Sequence, residues 1–142
     1  MLSGLQVGAS IYHDHLTPDI PQRIQEYIPA VHVVYVTPKI EWLNEGVLIR
    51  HSLDEGRTFN TPGFYTQISR QWKAYRPYVR YQYLNASPLE PLLFDTGLQQ
   101  GPSLGLRYDW SEFTAFKMQY DRKLRRGLPD INQLGLQMAF TF

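Results

Sequence analysis

Toward its end the chain alternates apolar and polar positions without a slip. Leu134, Leu136, Met138, Phe140 and Phe142 fall on one side, and Gln133, Gly135, Gln137, Ala139 and Thr141 on the other. A period of two over that length predicts a β-strand with one apolar face. The same rhythm recurs upstream. Leu104, Leu106, Tyr108 and Trp110 oppose Ser103, Gly105, Arg107 and Asp109, and Thr114, Phe116, Met118 and Tyr120 oppose Ala115, Lys117, Gln119 and Asp121. Val79, Tyr81 and Tyr83 oppose Tyr78, Arg80 and Gln82, and Leu5, Val7, Ala9 and Ile11 oppose Gln6, Gly8, Ser10 and Tyr12. Two segments keep no clear phase. Val31–Val36 is apolar at nearly every position, and around Asn44 and Glu45 either residue can be the outward one.

Eight strands are predicted, over 4–13, 29–37, 41–52, 63–72, 77–85, 102–110, 113–122 and 132–142. Each is about as long as a tilted strand needs to be to cross a bilayer. No helix with an apolar stripe is predicted, although Gln22–Tyr27 could form one short turn between Pro21 and Pro29. The connections alternate long and short: 14–28, 38–40, 53–62, 73–76, 86–101, 111–112 and 123–131. Outer-membrane barrels have this asymmetry, with short periplasmic turns and longer external loops. A soluble lipocalin-like barrel would give the same alternation with its apolar face inside. The loop lengths favour the inverted arrangement, and so does the placing of aromatics near strand ends. Trp42, Trp72, Tyr75, Tyr78, Trp110, Phe113, Phe140 and Phe142 lie toward one edge, and Tyr12, Tyr83 and Tyr120 toward the other. The terminal Phe142 is expected to close such a barrel at the periplasmic side. The predicted fold is therefore all-β: one domain over 1–142, an antiparallel up-and-down transmembrane β-barrel with about eight strands.

Composition adjusts this picture little. Mean hydropathy is −0.37, as expected where half of each strand faces a polar interior. Aromatic residues make up 14% of the chain. With no cysteine there is no disulfide, thiolate nucleophile or Cys-ligated metal. A net charge of +1 offers nucleic acid no basic footprint. No basic segment followed by an apolar one marks a secretory signal near Met1, so the sequence is expected to be a mature form or the C-terminal part of a larger barrel.

Several stretches then look familiar. Arg50-His51, Trp72-Lys-Ala-Tyr-Arg-Pro-Tyr-Val-Arg-Tyr-Gln-Tyr83 and Leu104-Gly-Leu-Arg-Tyr-Asp109 resemble the C-terminal half of porin-like outer-membrane proteins of proteobacteria. So do Ala115-Phe-Lys-Met-Gln-Tyr-Asp-Arg122 and Gly127-Leu-Pro-Asp-Ile-Asn-Gln-Leu134. The likeness covers most of 41–142. It implies location in the bacterial outer membrane of a Gram-negative cell, and a last strand read by the barrel assembly machinery at Leu136, Met138, Phe140 and Phe142. Family members are longer, with further strands ahead of this region.

The candidate chemistry is sparse. In His13-Asp14-His15 two imidazoles at i and i+2 could face one metal with Asp14 or Asp19, but no third ligand has diagnostic spacing, and no metal or other cofactor is expected. His51 and Ser52 point to opposite strand faces and cannot pair as base and nucleophile, and no nucleophile elbow is present, so no enzyme is expected. Tyr75–Tyr83, with its interleaved arginines, is better read as a turn and an aromatic girdle than as a base-stacking platform. Arg122, Lys123, Arg125 and Arg126 could contact lipopolysaccharide phosphates at the last external loop. Arg80, Arg107, Asp109, Lys117 and Asp121 are predicted to face the lumen. The expected function is porin-like passive diffusion of small solutes, in contact with outer-membrane lipid and lipopolysaccharide and with no nucleic-acid partner. The alternative is a closed eight-stranded barrel with a structural, adhesion or lipid-contact role and no pore. Strand number separates the two, because eight strands leave an interior just filled by side chains and about sixteen leave an aqueous channel.

Overall fold

The structure is a computed structural model, and it describes residues 4–17 and 23–141. It contains eight strands: β1 (Leu5–Leu16), β2 (Ile24–Val36), β3 (Ile40–Leu53), β4 (Thr58–Arg70), β5 (Tyr75–Asn85), β6 (Leu98–Asp109), β7 (Thr114–Arg125) and β8 (Ile131–Phe140). They form one sheet in the order β1 to β8, each antiparallel to the next. The all-β, up-and-down topology expected from the alternation is thus present. Among the described residues the sheet is not closed: β1 pairs only with β2, and β8 only with β7.

The strands run further than the apolar pattern implied, and the connections are shorter. The expected long loop over 53–62 is a tight turn at 54–57, with Ser52 opposite Thr58 and His51 opposite Phe59. Gly56, at φ 84°, makes that turn, its N–H donating to Leu53 O at 2.9 Å. Backbone pairing needs no apolar side chain, so polar residues such as Asn60 and Thr61 continue the ladder beyond the greasy part of the strand. For the same reason Ile24–Tyr27 lies in β2 rather than in a helical turn. It pairs with β1 on one side and β3 on the other, which outweighs local propensity. Gln22 and Pro21 fall outside the described residues. One end of the sheet carries the short turns 37–39, 71–74 and 110–113, and the opposite end carries 54–57, 86–97 and 126–130. Of the three, 86–97 is the one that forms a substantial loop.

The register resolves both ambiguous strands. Tyr35 pairs with Trp42, Val33 with Asn44 and Val31 with Gly46, so these residues share one face. Following the pairs across the sheet places Val7, Val31, Trp42, Ile68, Val79, Leu104, Met118 and Leu136 on that face. It is exposed: Val7 is 70% and Leu136 77% accessible. The buried strand residues lie on the other face, among them His51, Thr61, Ser69, Tyr78, Ser103 and Asp121. Among the described residues no second layer of strands or helices covers either face, so burial confined to one side means that the sheet curls toward it. The concave face is the polar one and the convex face the apolar one, the reverse of a soluble barrel.

Curvature is helped where glycine lets a large ring lie flat on the wall. Tyr78 pairs with Gly105, and a Cβ at Gly105 would sit 2.0 Å from the Tyr78 ring. Gly105→Ala should therefore displace the buried ring and destabilise the fold by about 1–3 kcal/mol, the usual cost of overpacking. Gly135→Ala, whose nearest neighbour would be 3.9 Å away, should be close to neutral. Urea unfolding of both variants checks the contrast.

Candidate functional site

The concave face of β4–β8 is the most chemically furnished surface of the described residues. Alternation puts Gln67, Tyr78, Arg80, Ser103, Arg107, Lys117, Gln119, Asp121, Gln133 and Gln137 there. These residues bind their neighbours along the wall. Arg80 donates to Gln67 Oε1 through Nε at 3.0 Å and a terminal nitrogen at 2.8 Å, and its guanidinium lies 5.1 Å from the Tyr65 ring centre. Tyr78 Oη donates to Gln119 Oε1, Gln119 Nε2 donates to Asp121 Oδ1 at 2.7 Å, and Ser103 Oγ donates to the same carboxylate oxygen. Lys117 Nζ rests 5.2 Å from the Tyr78 ring centre. Arg107 Nε donates to Asp109 Oδ1 at 2.6 Å. A hollow of about 420 Å³ is bordered by Glu45, Tyr65, Arg80, Gln82 and Lys123, and a second of about 300 Å³ by Arg80, Lys117, Asp121 and Gln137.

All five residues expected to face the lumen lie on this polar face, and the register adds others. Glu45 points inward and Asn44 outward, which the sequence left open. On the concave face β2 and β3 carry Glu26, Glu41 and Glu45, whereas β5–β7 carry Arg76, Arg80, Arg107, Lys117, Lys123 and Arg125 together with Asp109 and Asp121. Arg76 bridges the two groups through Glu41 at 3.3 Å.

Sequence reasoning missed one constellation. His51 is 2% exposed, with Nδ1 2.7 Å from Glu90 Oε1 and Nε2 2.7 Å from Glu26 Oε2. The two ring nitrogens thus bridge the two glutamates, one contact each. Glu90 is fully buried and comes from loop 86–97, and its Oε1 also accepts from Leu92 N–H at 3.2 Å. The triad therefore ties the largest described loop to β2 and β3. The partners stand 25 and 39 residues from His51, a separation with no sequence signature. Ser52 lies on the convex face, as alternation required, 3.4 Å from Thr58 Oγ1.

Other expected features are dispersed. Arg122 faces the convex side, 3.7 Å from Asp130, whereas Lys123 and Arg125 face the concave side and Arg126 sits in the turn. Strand alternation thus divides the basic run instead of presenting it as one patch. His13 and His15 share the convex face with ring centres 4.8 Å apart, but His13 stacks on Tyr27. Asp14 points the other way, accepting from Tyr12 Oη at 2.8 Å. Asp19 and Phe142 lie outside the described residues. Leu136, Met138 and Phe140 are exposed on the convex side of edge strand β8. Tyr12 and Tyr78, expected in the aromatic girdles, turn instead to the concave face.

Compared with known proteins, the chain matches no family model, no curated protein and no solved structure. The porin-like resemblance of 41–142 therefore rests on the residues quoted for it.

His51→Ala should leave the fully buried Glu90 without its ring partner and destabilise the fold by about 1–3 kcal/mol, the cost of a buried polar group left unpaired. It should also expose loop 86–97 to limited proteolysis. Ser52→Ala, on the opposite face, should change neither readout.

Proposed function

We propose that the chain forms wall strands of a bacterial outer-membrane β-barrel, with lipid against the convex face and a solute path along the concave one. The observation that carries this reading is the inversion of the faces. A bare apolar surface over a whole sheet is costly in water but matches hydrocarbon. Toward the 54–57, 86–97 and 126–130 end the convex face turns more polar, at His13, Gln25, Arg50, Asn60, Asn85, Gln100, Arg122 and Asn132, with Leu98 and Leu124 among them. A more polar margin beside an apolar band suits the edge of a bilayer.

The opposite boundary is aromatic. Tyr75 stacks on Tyr108 at 4.9 Å, Trp110 meets Tyr108 and Phe116 edge-on at 6.2 and 6.0 Å, and Trp42 lies on the same face. Amphipathic rings in this position suit a headgroup layer. Between the boundaries, ridges such as Leu106, Phe116, Met118, Leu136 and Met138 border a groove of about 420 Å³ that fits acyl chains. Asn44 and Thr66 interrupt the band but satisfy each other, with Thr66 Oγ1 donating to Asn44 Oδ1 at 2.7 Å and accepting from Trp42 Nε1 at 3.0 Å.

On this reading the concave charges bias which solutes pass, since fixed wall charge sets ion preference. Basic groups dominate β5–β7, and Arg80 borders both hollows.

Protein refolded in detergent should float with vesicles, migrate differently on gels when unheated, and conduct in planar bilayers. Monodisperse behaviour without detergent would sink the membrane reading, and membrane insertion without conductance would sink the diffusion role. If it conducts, Lys117→Glu should shift the reversal potential toward cation preference.

A further inference from the structure

We infer that the convex face holds acidic phospholipids at two places, the phosphate of one on Arg50 and of the other on Arg70, each with an acyl chain in the adjoining groove. The inference rests on the membrane reading above and adds to it the class of lipid and the residues that hold it.

Charge is divided unevenly between the two faces. The carboxylates within the strands (Asp14, Glu26, Glu41, Glu45, Asp109 and Asp121) all lie on the concave side. The convex side of the strands carries Arg50, Arg70 and Arg122 and no acid. Both signs meet in the concave wall, so its cations have acids within reach. On the convex side Arg122 reaches Asp130 of the following turn at 3.7 Å. Arg50 and Arg70 are exposed, and their guanidinium groups have no hydrogen-bond or ion-pair partner among the described residues. A guanidinium set beside apolar surface calls for an anion, and this face supplies none of its own.

Each of these two arginines stands at the outer end of an apolar groove. One, of about 390 Å³, is bordered by Ile11, Tyr27, Pro29 and Leu48 and runs out to Arg50 and Ser52. The other, of about 500 Å³, is bordered by Ile40, Ile68, Pro77, Val79 and Leu104 and runs out to Arg70. Arginine suits this position. Its stem lies along apolar surface, while its planar fork reaches the headgroup layer and takes two phosphate oxygens. Arg50 lies toward the 54–57 turn and Arg70 beside 71–74, at opposite ends of the strands, so one site falls in each leaflet. Headgroup charge decides the class of lipid. A choline would bring an ammonium to a face that offers it no carboxylate, whereas an acidic lipid brings the net negative charge that basic residues at a membrane surface attract.

Retained lipid is the measurement that tests this. Protein refolded in detergent is given phosphatidylglycerol or phosphatidylcholine, and the lipid it carries through purification is counted by native mass spectrometry. Wild type should keep phosphatidylglycerol in preference to phosphatidylcholine. Arg50→Gln and Arg70→Gln should each weaken retention at one site about fivefold, the worth of one arginine beside acidic headgroups. The double variant should lose the preference. Both side chains are exposed and unpaired, so the variants should keep the wild-type circular dichroism. Arg125→Gln makes the same charge change on the concave face and should alter nothing. Equal retention of the two lipids by wild type overturns the inference, and so does a loss in R125Q as large as that in R50Q or R70Q. Displacement by inorganic phosphate at the lipid's own concentration also overturns it, because the occupant would then be a free anion. Flotation of wild type with phosphatidylcholine vesicles scores the membrane reading separately. Protein that floats without the preference would sink the acidic-lipid sites and keep the bilayer, and protein that shows the preference without floating would do the reverse.

Discussion

The described strands form a single-layered sheet, and that constraint shapes the rest of this molecule. Backbone hydrogen bonds hold each strand to its neighbours, but both faces are left to find their own environment. In most sheets a second layer or a helix hides the apolar face. Here the sheet curls the other way and hides its polar face, leaving Val7, Ile68, Leu104 and Leu136 bare. The proposed membrane setting rests on this exposed apolar face more than on any single residue.

The polar face solves the opposite problem. Charged and amide side chains brought together by curvature must satisfy one another, because a polar group sheltered without a partner is costly. They do so along the wall: Arg80 with Gln67, Tyr78 with Gln119, and Asp121 with Ser103 and Gln119. Glycine at 105 lets the Tyr78 ring lie flat and keeps the wall thin. The His51 triad extends the same logic to a loop, drawing Glu90 out of solvent and onto the sheet. The contacts that hold the wall together are thus the same ones that furnish its polar face.

Much of this was readable in the alternation, and the failures have physical causes. β6, β7 and β8 were legible because each carries a strictly polar side against an apolar one. β2 and β3 were not, because Ile28, Val34, Leu43 and Val47 put apolar residues on the concave face too, and only pairing with β1 and β4 fixes their phase. Strand lengths were underestimated wherever polar residues continued the ladder past the apolar band, as at Asn60 and Thr61. The basic run at 122–126 looked like one patch because sequence proximity ignores that alternate residues face opposite ways.

What the amino-acid sequence determined by itself is local and periodic: eight strands, their antiparallel succession, and a two-sided character, all of which follow from a repeat of two. Curvature, the direction of the polar face and the meeting of His51 with Glu26 and Glu90 required the tertiary structure. Those properties depend on register summed across eight strands and on one loop folding back, and no local window contains them.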